Sequence, residues 1–189
     1  MAGVLRVRIG PGRRERAVEK ELTAYHEAAH MVAAWELGLT VTGATIVPNL
    51  EEGYAGYVGV PVENRVRYAD WVDETEYLHA HLVTYYAGIA ASERYTGAPM
   101  SDSEVGIALG SYGSDYYNVG DIVLALAGPN EVKQVEVSEA AQRAARDLIA
   151  LMWEQVERIA GVLLERETLD EGECRQVLVD VELSLDDEE

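Results

Sequence analysis

The sequence predicts an α+β domain, mainly α-helical with a small β-sheet, and three observations carry that reading. Apolar residues recur at spacings of three and four over several long stretches, the period of an amphipathic helix. Two short stretches, 41–47 and 54–60, are separated by a turn-rich segment, the pattern of paired strands. The chain has 189 residues, 48% of them hydrophobic, enough for one domain with a real core and too few for two comfortable ones.

Residues 13–37 read as one long helix. Val18, Leu22, Tyr25, Ala29, Val32, Ala33 and Leu37 fall on one face, and Gly38 supplies the stop. Residues 41–47 are β-branched and end at Pro48, which predicts a strand; 54–60 form a second strand with glycines in it. Helical pattern resumes near Arg65 and runs, across a break near Asp73, to Tyr95. Its buried stripe is Leu78, Leu82, Tyr85, Tyr86, Ile89 and Ala90, closed by Gly97 and Pro99. Residues 101–114 are rich in Ser and Gly and read as loop. Asp115 then stands where it can cap a helix with Val119, Ile122, Val123 and Leu126 on its apolar face, ended by Gly128-Pro129. Ser138 opens the last long helix, which continues to about Arg166, and a short closing helix follows Thr168. With no internal repeat and no low-complexity linker, residues 13–180 form a single domain. A flexible basic arm (1–12) precedes it and an acidic tail (181–189) follows.

Charge narrows the partners. The 34 acidic and 15 basic side chains leave a formal net charge of −19, so a nucleic acid or an anionic membrane surface would be repelled. Arg6, Arg8, Arg13, Arg14, Arg16 and Lys20 gather six of the fifteen basic residues near the start, and the chain closes on Asp186-Asp187-Glu188-Glu189. A single cysteine, Cys174, excludes an internal disulfide and fits a reducing compartment. No run approaches about 18 uninterrupted apolar residues and no signal peptide opens the chain. The expectation is a soluble, cytoplasmic protein without a membrane anchor.

His26-Glu27-Ala28-Ala29-His30 is an H-E-x-x-H motif inside the strongest helix prediction. Positions i and i+4 stand one above the other on a helix, so two imidazoles can reach one zinc ion at about 2.0–2.1 Å. Glu27 points too far round to be a ligand of the same kind and can serve as general base. Zinc supplies a bound water with a pKa near about 7, whose proton the carboxylate takes as a peptide carbonyl is attacked. A catalytic zinc also needs a third protein ligand and one open position. His79 and His81 are two apart and face different ways on a helix, so they read as ordinary, partly exposed residues. Asp115 and Asp121 are better candidates, although capping its own helix is a competing job for Asp115.

From about Glu19 to Val177 the chain resembles the peptidase domain of FtsH, the membrane-anchored, ATP-driven zinc protease. Glu19-Lys20-Glu21-Leu22-Thr23-Ala24-Tyr25-His26-Glu27-Ala28-Ala29-His30 is similar to that family's zinc helix, with Ala29 where the family usually has glycine. Thr45-Ile46-Val47-Pro48 and Gly56-Tyr57 resemble the strand pair that follows it. Ala87-Gly88-Ile89-Ala90-Ala91-Ser92-Glu93 resembles the family's glycine-arginine-alanine-alanine-glutamate-glutamate helix, with its arginine and first glutamate missing. Gly113-Ser114-Asp115 resembles the turn whose aspartate is the family's third zinc ligand, and the apolar residues after Asp115 fall where the family's do. Counting from Asp121 instead meets Gly128 and Pro129. The resemblance therefore implies His26, His30 and Asp115 as metal ligands, with Glu93 and then Asp121 as fallbacks. Leu163-Leu164-Glu165-Arg166-Glu167-Thr168-Leu169-Asp170 is close to the family's C-terminal signature, which has a packing role only.

The departures shape the expected function. FtsH carries an ATPase module and a membrane anchor, and neither is found here. A P-loop needs a lysine after glycine, whereas Lys20 follows Glu19 and Lys133 follows Val132. What the resemblance implies is a freestanding zinc metalloendopeptidase that cleaves unfolded or flexible polypeptides, alone or with a separate ATPase partner. A homo-oligomer, hexameric by family analogy, is implied as well. A substrate could add as a strand beside 54–60. The alternative is a non-catalytic zinc-binding or assembly protein that keeps the fold.

Overall fold

Small side chains on two helices set the layout. The computed structural model describes residues 13–49, 51, 55–61, 74–100 and 115–186, with side chains described over the same spans except 13–18, 115–118 and 184–186. The basic arm, the 101–114 segment and the start of the second predicted helix lie outside the described residues. Helix α1 (Arg13–Glu36) buries Ala24, Ala28, Ala29, Met31, Val32, Ala33 and Ala34. Its end is the predicted one. Gly38 has a positive φ of 72°, its N–H donates to Trp35 O at 3.0 Å, and Leu39 N donates to Ala34 O at 2.7 Å. This double bond satisfies carbonyls that a helix end leaves without partners, and it asks for a residue without a Cβ.

Helix α2 (Glu74–Thr96) is the central element. Nearly all its residues from Tyr77 to Ser92 are buried, a wider set than the predicted stripe, of which Leu78 is only half-buried. A helix apolar on all sides is covered on all sides. Tyr25 stacks on Tyr95 at 4.3 Å while His30 reaches Thr84 O at 2.7 Å, so α1 and α2 run antiparallel. Trp153 joins the stack on Tyr25 at 5.5 Å, and the Arg94 guanidinium lies 4.5 Å above Trp153. This column of rings fixes the rotation of α1 one residue away from His26.

The sheet is smaller than the sequence suggested and has a strand the sequence did not show. Strands β1 (Gly43–Thr45), β2 (Tyr57–Gly59) and β3 (Thr168–Asp170) lie in the order β2-β1-β3, both pairs antiparallel, with Ala44 opposite Val58 and Leu169. Residues 168–170 therefore pair with β1 before the closing helix begins. The turn into β3 is made by Glu167 at φ 63°. Its carbonyl accepts from Ile46 N at 2.9 Å and from Thr45 Oγ1 at 3.2 Å.

The C-terminal half departs from expectation in three places. Helix α3 (Asp115–Ala127) opens at Asp115 as its first helical residue and buries Val119, Ile122 and Val123. The helix expected to start at Ser138 starts at Glu131, capped by the Asn130 side chain accepting from Lys133 N at 3.1 Å. It does not continue to Arg166. Helix α4 (Glu131–Leu151) stops at Met152, and α5 (Trp153–Arg166) begins on the next residue. Helix α4 packs against α2, and α5 packs against α1. Helix α6 (Glu171–Asp186) is also longer than the short closing helix expected and runs into the span read as acidic tail. It opens on a capping box, with Asp170 Oδ1 accepting from Glu173 N at 2.9 Å and Glu173 Oε2 accepting from Asp170 N at 3.0 Å.

Two clusters form the interior. The larger joins α1, α2, β1, α4, α5, β3 and α6 around Met31, Ile149, Ile159, Leu163 and Leu169, and the other joins α2, α3 and α4 around Leu82, Tyr86, Ile89 and Ile122. Truncating one of the fully buried members to alanine costs about 2–5 kcal/mol. No described helix is long and apolar enough to cross a membrane.

His81 corrects the expectation of a partly exposed residue. It is 1% exposed, lies edge-on to Tyr77 at 4.5 Å, and neither ring nitrogen has a hydrogen-bond partner among the described residues. Burial pushes its pKa down from 6.5 to about 4. The unfolded chain takes up a proton near 6.5 and the folded protein only near 4. The His81 contribution to stability is therefore whole above pH 6.5 and is lost as pH falls towards 4, by roughly 3 kcal/mol. His81→Leu should hold or raise stability at neutral pH by about 1 kcal/mol and flatten the stability loss between pH 6.5 and 4, as read by urea unfolding across pH. A loss above about 2 kcal/mol at neutral pH would show that the ring has polar partners.

Candidate metal centre

The α1 backbone places His26, Glu27 and His30, and α2 decides where their side chains point. Spacing i, i+4 puts both imidazoles on the α2-facing side of α1, their centroids 4.7 Å apart and their planes at 78°. Opposite them stands Gly88. A Cβ at that position would lie 2.5 Å from His26 Nε2 and 2.6 Å from His30 Nε2. Both Nε2 atoms thus converge on one small volume, and that volume exists because residue 88 has no side chain.

Each ring is also held from behind. His30 Nδ1 donates to Thr84 O at 2.7 Å. His26 Nδ1 lies 3.1 Å from Ser92 Oγ, which itself donates to Gly88 O at 2.9 Å. His30 is buried and His26 partly so. Burial is the largest cause holding His26 down at about 3; neighbouring His30 adds to it, and the Gly88 backbone opposes both. A ring that resists protonation keeps the neutral form that binds a cation.

Glu27, on the same turn of α1, is 6% exposed. A Cβ at Gly56 would meet Glu27 Oε1 at 2.5 Å and Thr23 Cγ2 at 2.7 Å. The backbone just before β2 therefore lies directly against the carboxylate. Two glycines, Gly88 on α2 and Gly56 just before β2, thus pack against the motif.

The other candidates are spread out. Asp115 opens α3, but its side chain lies outside the described residues. Both carboxylate oxygens of Glu93 are engaged on the α4 side of α2: Oε1 accepts from Met100 N at 3.2 Å and Oε2 pairs with Arg146 Nε at 3.1 Å. Asp121 is exposed on α3, and His79 is half-buried on α2. Among the described residues no three His, Cys, Asp or Glu side chains are grouped to hold a metal. The donor chemistry of two imidazoles and a buried carboxylate on one turn of α1 fits zinc, and a third ligand would come from beyond the described side chains.

Thr84, Gly88, Ser92 and Gly56 were not read from the sequence as site residues. The run Ala87-Gly88-Ile89-Ala90-Ala91-Ser92, small apart from Ile89, was the signal for Gly88 and Ser92, since such runs mark close helix contacts. In comparison with known proteins, no family model and no curated protein matches the chain.

Gly88→Ala should drive the imidazoles apart. The expected result is a folded protein whose zinc affinity, measured by chelator competition, falls at least about tenfold. Unchanged affinity would mean that the metal does not sit beside Gly88.

Proposed function

We propose that this chain is a zinc-dependent metalloendopeptidase of the FtsH type, acting on unfolded or flexible polypeptides. The observation that carries this reading is the convergence of His26 Nε2 and His30 Nε2 beside Gly88, with Glu27 on the same turn of α1. In the proposal His26, His30 and Asp115 hold the zinc, which supplies Lewis acidity and a water of lowered pKa. Glu27 accepts the proton of the attacking water and returns it to the leaving amine. Its seat against Gly56 restricts the rotamers open to the carboxylate.

The substrate class follows from β2. It is an edge strand of the three-stranded sheet, and the backbone at its start lies against Glu27. A polypeptide adding to that edge would pass the base in extended form, which a folded protein cannot do. Folded substrates would need a separate ATPase to unfold them. By family analogy the active form is a homo-oligomer, and the single cysteine, Cys174, fits a cytoplasmic location.

Two variants test the reading. Metal analysis should find about one zinc per chain in the parent and little in Asp115→Ala. Glu27→Gln should keep the zinc and lose casein cleavage by at least about a hundredfold. Cleavage by Glu27→Gln at the parent rate would end the general-base assignment. Zinc binding without turnover of any unfolded substrate would leave a zinc-binding or assembly protein instead.

A further inference from the structure

We infer that Ser92 is a positioning residue that fixes the tautomer of His26, so that both imidazoles present an Nε2 lone pair beside Gly88 before any metal binds. The zinc-affinity part of this inference rests on the metal reading above; the tautomer part does not.

The case begins with His30. A carbonyl only accepts, so the 2.7 Å contact with Thr84 O requires the proton on His30 Nδ1. Neutral imidazole has one N–H, hence His30 Nε2 carries the lone pair. His26 faces a hydroxyl, which can donate or accept. Ser92 Oγ has a single proton, and Gly88 O stands one helical turn back at 2.9 Å, closer than His26 Nδ1 at 3.1 Å. With the hydroxyl proton given to that carbonyl, Ser92 Oγ meets His26 only as an acceptor. His26 Nδ1 must then be the donor, and its Nε2 also carries a lone pair.

The arrangement is one turn of α2 set against one turn of α1. Gly88 and Ser92 are four apart, as are His26 and His30, and the helices run antiparallel. Gly88 provides the space and the carbonyl, and Ser92 converts that carbonyl into an instruction for the ring. Ser92 is 3% exposed, so water does not compete for the hydroxyl. Orientation of a ligand ring through its second nitrogen is a general means of raising metal affinity.

The test uses the full-length protein stripped of metal and long-range proton–nitrogen NMR of its histidines. His26 and His30 should both carry the proton on Nδ1. Ser92→Ala should shift His26 to a tautomer mixture, leave His30 unchanged, and weaken zinc binding about 10–100-fold in chelator competition with Zn2+ alone. Ser92→Thr, which keeps the hydroxyl, should restore both readouts. His26 protonated on Nε2 in the parent would overturn the inference. So would a Ser92→Ala protein with an unchanged His26 tautomer and unchanged zinc affinity. A parent with Nδ1–H on both rings and no zinc binding would uphold the tautomer assignment and overturn the metal reading.

Discussion

Everything in the candidate site depends on how closely α1 and α2 approach. Ala24, Ala28, Ala29, Ala33 and Ala34 on α1, with Ala87, Gly88, Ala90 and Ala91 on α2, are all buried. Small side chains at a helix contact let the backbones come near one another. Only then can two imidazoles on α1 reach a carbonyl, a hydroxyl and a bare Cα on α2. A larger residue at this contact would meet the costs of overpacking, about 1–3 kcal/mol, and would also move the ring nitrogens off their common point. The close approach gives little apolar area of its own, because alanine buries so few atoms. The anchoring of α1 falls instead to Met31 and Val32, which share a cluster with Ile159, Leu163 and Leu169.

The sequence showed the part of the site that one element carries. His26, Glu27 and His30 were legible because their geometry follows from helix spacing alone. Their supporting atoms were not. Thr84 and Ser92 lie 54 and 66 residues further on, and no periodicity links them to the motif. Gly56 and Gly88 act through missing atoms, which a reading by residue type does not register. Glu93 shows the opposite failure. As a carboxylate in the right stretch it was a reasonable fallback ligand, yet helical rotation carries it to the α4 side, where Arg146 and Met100 take both oxygens.

The fold was legible on the same terms. Helices with a glycine stop and a regular stripe ended where the pattern ended, as at Gly38. The break at Met152 has neither glycine nor proline to announce it. It is set by packing, because α4 must cover α2 while α5 must cover α1. Strand β3 is three residues long, too short for alternation to be seen, and its place depends on hydrogen bonds from Thr45 and Ile46 to Glu167, more than 120 residues away in sequence. Asn130 and the Asp170–Glu173 box did carry cap signals. The first of them starts α4 at Glu131, ahead of the start expected at Ser138.

The electrostatics of the pair bears on what could occupy it. Burial and the proximity of His30 both disfavour a proton on His26, since a single positive charge there would lose its hydration and gain only the Gly88 backbone in return. The same surroundings treat a metal dication differently. Two neutral nitrogens replace part of its hydration shell directly, and carboxylates can balance its charge. Glu27 is already buried beside the pair, and Asp115 would bring a second carboxylate from α3. A site that excludes the proton while offering lone pairs is selective by chemistry and not by size. His81, more deeply buried on α2, shows the contrast, because it rejects the proton but has no second donor beside it among the described residues. What distinguishes His26 and His30 is their pairing, and that pairing was written into α1 by a spacing of four.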